Sequence, residues 1–208
     1  GGGRTLVNEL TRLADPPRLT ALDLSGNRLA AEQLGRLLAA PALAALADLD
    51  LGDNNLGPEG MRVLAAARLP HLRRLHLIRT NPGADGVRAL AAAAFLPRLR
   101  SLSLAGNNLP PAAAAALAGS PGVADLRVLD LRDNTLGDAG ATALADSPHL
   151  GNLVHLNLAA NLIEDAGAGA LADSPPLGGL IALDLSGTVL TPAATARLKR
   201  RFGDRVFV

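Results

Sequence analysis

The 208-residue chain has no cysteine, no tryptophan and no tyrosine, three phenylalanines and a single methionine. Without cysteine there can be no disulfide framework, no thiolate metal site and no thiol nucleophile. That absence suits a reducing, cytoplasmic setting. No run of about eighteen consecutive apolar residues occurs, so no membrane-spanning helix is expected, and no signal peptide is recognisable. Lys199 is the only lysine among twenty basic residues, and the formal net charge is +1. Bulk charge therefore recruits no polyanion, and no basic stripe is interleaved with aromatics as nucleic-acid binding would require. The chain opens Gly1-Gly2-Gly3 without methionine, which reads as a tag remnant or a cut from a longer protein. Abundant alanine, glycine, proline and aspartate suggest a GC-rich coding sequence or a designed one.

What is present is a pattern recurring seven times at intervals of 26 or 27 residues. It runs LTALDLSGNRL from Leu19, LADLDLGDNNL from Leu46, LRRLHLIRTNP from Leu72 and LRSLSLAGNNL from Leu99. It continues as LRVLDLRDNTL from Leu126, LVHLNLAANLI from Leu153 and LIALDLSGTVL from Leu180. A period of this size means a solenoid of stacked coils, each touching only its neighbours.

One unit predicts one coil. Alternate residues of a strand point to opposite faces, so Leu129 and Leu131 should point inward while Val128 and Asp130 point out. Three residues after the second strand leucine comes a polar column: Asn27, Asn54, Thr80, Asn107, Asn134, Asn161 and Thr188. A polar side chain repeated at a buried turn must be hydrogen-bonded. The expectation is a structural ladder in which each amide binds the backbone of its own and the next coil, with the threonine turns looser. A helical half follows each turn. Pro58, Pro111 and Pro192 share a column in the first helical turn, as do Asp138 and Asp165. Leu64, Leu90, Leu117, Leu144, Leu171 and Leu198 should face the core, and Pro41, Pro70, Pro97, Pro121, Pro148 and Pro175 should stop each helix.

The expected fold is α/β: a leucine-rich solenoid in an open horseshoe arc, with a parallel β-sheet on the concave face and helices on the convex face. Strands stack about 4.8 Å apart and helices about 8–10 Å apart, which bends the array. The chain reads as a single domain, 1–208. Residues 4–18 form an N-terminal half-repeat cap in which Leu6, Val7, Leu10 and Leu13 make one helical face. Residues 19–198 form seven repeats, and 199–208 form a C-terminal cap.

The unit LxxLxLxxNxL followed by a helical half resembles the ribonuclease-inhibitor type of leucine-rich repeat over about Leu19 to Leu198. The resemblance departs at the ladder position, where that inhibitor alternates cysteine with asparagine and this chain uses asparagine or threonine. It also lacks the disulfide-bonded end caps of extracellular relatives. It looks closer to cysteine-free members found in intracellular receptors and bacterial proteins. The resemblance implies protein binding and brings no binding motif, because contacts in the family are spread over concave and loop positions. Some similar proteins stimulate GTP hydrolysis by a small GTPase, but none of their motifs matches here residue by residue.

The outward strand columns are where a partner could read several coils at once. They are Asp23, Asp50, His76, Ser103, Asp130, Asn157, Asp184 and Ala21, Asp48, Arg74, Ser101, Val128, His155, Ala182. Opposite charges in adjacent repeats (Asp48 with Arg74, Asp50 with His76, Asp53 with Arg79) suggest self-neutralising pairs. Arg73, Arg100 and Arg127 recur at the strand entry beside Arg98, and read as a rim without acidic partners: either a solvated edge or a docking rim for an acidic protein segment. Arg74, His76, Ile78, Arg79, Arg132 and His155 complete the candidate partner-binding set. Aromatic anchors, which dominate interface hot spots, are expected to be missing from the outward strand positions. No metal or other cofactor is expected. His76 and His155 lie three strands, or about 14 Å, apart, too far to share an ion. His76 between Asp50 and Ser103 superficially resembles a triad, but on an open face with nothing to exclude water. The functional expectation is a non-catalytic protein-interaction module. The alternatives are a scaffold, monomeric or weakly self-associating end to end through Phe202, Val206, Phe207 and Val208, and a GTPase-activating protein.

Overall fold

A computed structural model describes residues 18–208. Among them the chain forms eight short strands: β1 (Ala21–Asp23), β2 (Asp48–Asp50), β3 (Arg74–His76), β4 (Ser101–Ser103), β5 (Val128–Asp130), β6 (His155–Asn157), β7 (Ala182–Asp184) and β8 (Val206–Phe207). Between them lie seven helices: α1 (Ala31–Leu38), α2 (Gly57–Ala65), α3 (Gly83–Ala91), α4 (Pro111–Ala118), α5 (Gly137–Ala145), α6 (Asp165–Asp173) and α7 (Pro192–Phe202). The expected N-terminal cap of Leu6, Val7, Leu10 and Leu13 lies outside the described residues.

All eight strands join one parallel sheet in sequence order. The register carries the repeat with it: Leu49 pairs with Leu75, Leu102 with Leu129, and Leu156 with Leu183. These central leucines are at most 1% exposed. In a three-residue strand the two flanking residues must then face solvent, which makes the outward columns. On the helical side, Leu64, Leu90, Leu117, Leu144, Leu171 and Leu198 are fully buried. Each leucine withdrawn from water contributes about 1.5–3 kcal/mol, so one continuous core runs between sheet and helices. The closer spacing of strands than of helices puts the sheet on the inside of the arc.

Small residues set how closely successive helices approach. A methyl group added at Gly167 would lie 2.9 Å from the Asp138 Cα, so α6 rests on the backbone of α5. Two of the prolines expected to stop helices also begin the next element. Pro41 and Pro121 open the 3₁₀ turns Pro41–Ala45 and Pro121–Val123. A residue with φ held near −65° and no N–H suits a first helical position as well as it ends a preceding helix.

The ladder asparagines reach back to the preceding coil, not forward to the next one as expected. Asn54 Nδ2 donates to the carbonyl of Leu24, 2.9 Å away, and to Leu51 and Gly52 in its own coil. Its Oδ1 accepts from the Leu29 N–H at 2.9 Å. The direction follows from where the sheet stops. Asp48 N–H donates to the Thr20 carbonyl of the coil before, but the N–H of Gly52 is taken by Asp50 Oδ1. The Leu24 carbonyl would face a missing donor, and the Asn54 amide supplies it. Asn107, Asn134 and Asn161 repeat this with Leu77, Leu104 and Leu131. Thr80 and Thr188 bond only their own coil, through the carbonyls of Leu77 and Leu185, because a hydroxyl lacks the second donor and the reach. Asn27 bonds the Ser25 carbonyl.

A second ladder joins the convex side. The hydroxyls of Ser120, Ser147 and Ser174 donate to the carbonyls of Ala91, Ala118 and Ala145 at 2.5–2.6 Å. These carbonyls lie at the ends of the preceding helices, where acceptors are left over.

Candidate partner-binding surface

The first outward column is mostly turn chemistry. Asp23, Asp50, Asp130, Asn157 and Asp184 each accept, through Oδ1, the N–H two residues on: Ser25, Gly52, Arg132, Ala159 and Ser186. A short carboxylate or amide in this position turns the chain out of the strand. The N–H of Ser25 beside the Asp23 carboxyl, followed by its hydroxyl, holds that carboxyl below the usual aspartate range. The residue before each ladder position has positive φ: Gly26, Asp53, Arg79, Gly106, Asp133, Ala160 and Gly187. Glycine and aspartate accept that geometry easily; arginine and alanine do so at a cost.

Two of the three expected acid–base pairs form. Arg74 Nε lies 2.7 Å from Asp48 Oδ2, and Arg79 holds Asp53 through Nε and Nη2 at 2.6 and 3.3 Å. The hydrogen bond that Arg79 donates to Asp53, reinforced by the carboxylate's charge, raises the pKa of the Arg79 guanidinium above its ordinary value. The third pair does not form. Asp50 and His76 are in register, but Asp50 Oδ1 is committed to Gly52 and His76 Nε2 leans toward Asp48 Oδ1, 3.9 Å away. Ser103 donates its hydroxyl to Asp130 Oδ2 at 3.1 Å, so its proton is directed away from His76.

The rim arginines have acceptors, against the expectation of an unpartnered rim. Arg73, Arg100 and Arg127 each direct Nη1 to a carbonyl of the next coil, those of Arg98, Asp125 and Asn152, at 3.4, 3.0 and 3.3 Å. Arg100 also pairs with the Asp125 carboxylate at 2.9 Å. The connecting loops leave a carbonyl free at each strand entry, and the guanidinium fork spans to it, which offsets the stacking of like charges. Arg205, one column further along, reaches back instead, to the Leu180 carbonyl of the preceding coil at 2.8 Å. Arg98 is exposed and contributes its carbonyl. Among the other candidates, Arg132 and His155 are exposed, Ile78 and Val128 are half-buried, and Arg132 Nε stands 3.7 Å from Asp130 Oδ2.

An aromatic side chain does reach the concave face. Phe207 pairs with Asp184 in the register of β7 and β8, which places it in the first outward column. It is 54% exposed. Val206-Phe207-Val208 begins where the repeat period places an eighth strand, and the strand phase carried one coil further puts Phe207 outward, against the expectation that no aromatic occupies an outward strand position. Phe202 and Val206, expected to mediate end contacts, are core residues at 1% and 6% exposure, leaving Phe207 and Val208 at the surface. Phe207 closes a recess of about 370 Å³ whose other walls include Val128, Asp130, His155, Ala182 and Asp184.

Among the described residues no group of three or more histidine or acidic side chains is arranged to hold a metal ion, and no helix is long and apolar enough to cross a membrane.

The family model described as Leucine Rich repeat matches residues 46–65, 124–145 and 149–172, overlapping mainly the second, fifth and sixth repeats. A search of curated proteins finds no match. Among solved structures, a protein from Bacteroides fragilis superposes with a TM-score of 0.62 at 15% identity, covering 98% of this chain and 69% of that one. At that identity the likeness concerns the fold.

Proposed function

We propose that this chain, a leucine-rich repeat protein, is a non-catalytic module that binds another protein across the concave sheet and its rims. Leucine-rich repeats are generally protein-interaction modules, and the reading builds on that. The observation carrying it is the continuous parallel sheet of eight strands, whose outward side chains stand on one rigid, solvent-facing surface. Each coil is tied to the last by asparagine, serine and arginine bonds, so the surface is held before a partner arrives, and preorganisation lowers the cost of association. On the strand-entry rim, Arg73, Arg98, Arg100 and Arg127 remain accessible to an acidic segment, with Arg74, His76, Ile78, Arg79, Arg132 and His155 on or beside the face.

Selection of a displayed random-peptide library on the intact protein, repeated with Arg100→Glu, tests this. Binders lost with the substitution place contacts on the rim. Binders indifferent to it place them elsewhere on the module, and the absence of any binder overturns the reading. A scaffold associating end to end is the second reading, favoured by the solvent-facing Phe207 and Val208 of the last coil. A strict monomer at high concentration by size exclusion with light scattering argues against it.

A further inference from the structure

The exposed large apolar side chains are distributed unevenly. Leu162, Ile181, Val189, Phe207 and Val208 are the large hydrophobics standing in solvent among the described residues, and all five fall in the sixth to eighth coils. Leu162 and Val189 occupy one column on consecutive strand-to-helix loops. They follow the ladder position, where earlier coils carry Arg28, Asn55, Asn81, Asn108 and Thr135. Ile181 stands at strand entry, in the column of Arg73, Arg100 and Arg127. The recess closed by Phe207 lies on the sheet between those two loop rims.

The recess has a charge as well as a shape. Asp130 and Asp184 line it. Among the described residues Asp184 has no cation within 4 Å, whereas Asp48 and Asp53 are paired with Arg74 and Arg79. Asp184 Oδ1 accepts from Ser186 and Oδ2 from Asn157 at 3.3 Å. A carboxylate has about four lone-pair sites, so acceptor capacity remains. Arg205, which immediately precedes the neighbouring strand β8, is committed to the carbonyls of Leu180, Phe202 and Arg201. An exposed ring beside an unpaired carboxylate, over a floor that includes Val128 and Ala182, matches an aliphatic stem ending in a cation. The stem covers apolar surface, the head lies against the ring, and the carboxylate accepts its N–H groups.

We propose that this recess is a docking point for an arginine- or lysine-bearing segment of a partner protein, with Phe207 as the aromatic wall and Asp184 as the charge partner. The inference rests on the protein-binding reading and names a partner chemistry opposite to that suited to the arginine rim. A volume of about 370 Å³ is at the small end of ligand sites and suits one or two side chains of a larger partner.

The test uses the intact chain, an acetylated and amidated peptide with one central arginine between apolar residues, and two matched peptides carrying citrulline or glutamate there. Binding is followed by amide chemical shifts and titration calorimetry. The arginine peptide should shift resonances of His155, Asp184 and Phe207 saturably, while the citrulline and glutamate peptides should bind at least about tenfold more weakly, the loss expected for one charge-assisted contact. Asp184→Asn should weaken the arginine peptide by a similar factor without loss of fold, because Asn157 makes the same turn bond in the same column. Phe207→Ala should weaken it too. Equal binding of citrulline, preference for glutamate, or indifference to both substitutions overturns the proposal. Free arginine binding as well as the peptide would also overturn it, in favour of a small-molecule site. Self-association abolished by Phe207→Ala would assign the surface to a second copy instead. Failure here with binders still recovered from the peptide library rejects this recess and leaves the module reading standing; failure of both rejects both.

Discussion

Arg74 Nε lies 2.7 Å from Asp48 Oδ2 across the paired strands β2 and β3, with the arginine side chain 57% and the aspartate 27% exposed. The most charged stretch of the concave face is thus partly spent on itself. A double-mutant cycle on Asp48→Ala and Arg74→Ala should give a coupling of about 0.2–1 kcal/mol in denaturant unfolding, shrinking in high salt. Zero coupling at low salt would mean the pair is geometric only.

Asn107 ties three carbonyls and accepts from the N–H groups of Thr80 and Asn81. Asn107→Ala should strand these buried groups and cost about 3 kcal/mol or more. Asn107→Thr should cost less, since Thr80 already fills that column with one bond to its own coil. Chemical denaturation of the two variants side by side is the measurement, and equal losses would refute the ladder account.

Ala160 has φ of 52° on an exposed turn where other coils use Gly26, Gly106 and Gly187. Ala160→Gly should raise stability by about 0.5–1 kcal/mol, as relief of the left-handed strain exceeds the added entropy of glycine. A calorimetric melt should show a higher midpoint; a lower one would mean the strain is negligible.

The hydroxyl of Thr191, then its N–H, hold the Asp165 carboxyl below the ordinary value of 3.8, at 2.6 and 2.9 Å. Because the folded pKa is lowered, this contact contributes stability fully above the unfolded pKa, and the contribution is lost as pH falls through the folded value. In Thr191→Val, carboxyl NMR should find the Asp165 midpoint displaced upward. A midpoint unchanged by the substitution would refute the assignment.

The coils were legible because each needs the same solution to the same problem. Leucine spacing gives the strand phase, and a polar residue that must be buried implies hydrogen bonding. The serine ladder had a visible trace, Ser-Pro at 120, 147 and 174, but proline alone accounted for the helix ends and the hydroxyl went unread. The rim arginines differ from expectation because their acceptors are mainly backbone carbonyls, which a residue pattern does not display, with the Asp125 carboxylate beside Arg100 as the one acidic partner among the described residues. Val206-Phe207-Val208 stands in the sequence where an eighth strand would start, but which of its residues faces outward is set by the register of β8 against β7, which puts Phe207 opposite Asp184.

By itself the sequence determined the period, the inward leucines and the outward columns, since these follow from the alternation of a strand and the recurrence of a unit. Tertiary structure decided what the outward residues are free to do. Whether an aspartate closes a turn, pairs with arginine or stands open depends on which N–H groups and cations the neighbouring coil brings within 3 or 4 Å. Stacking sets those distances. It satisfies Asp48 and Asp53 and places Asp184 beside Phe207 with no cation of its own among the described residues.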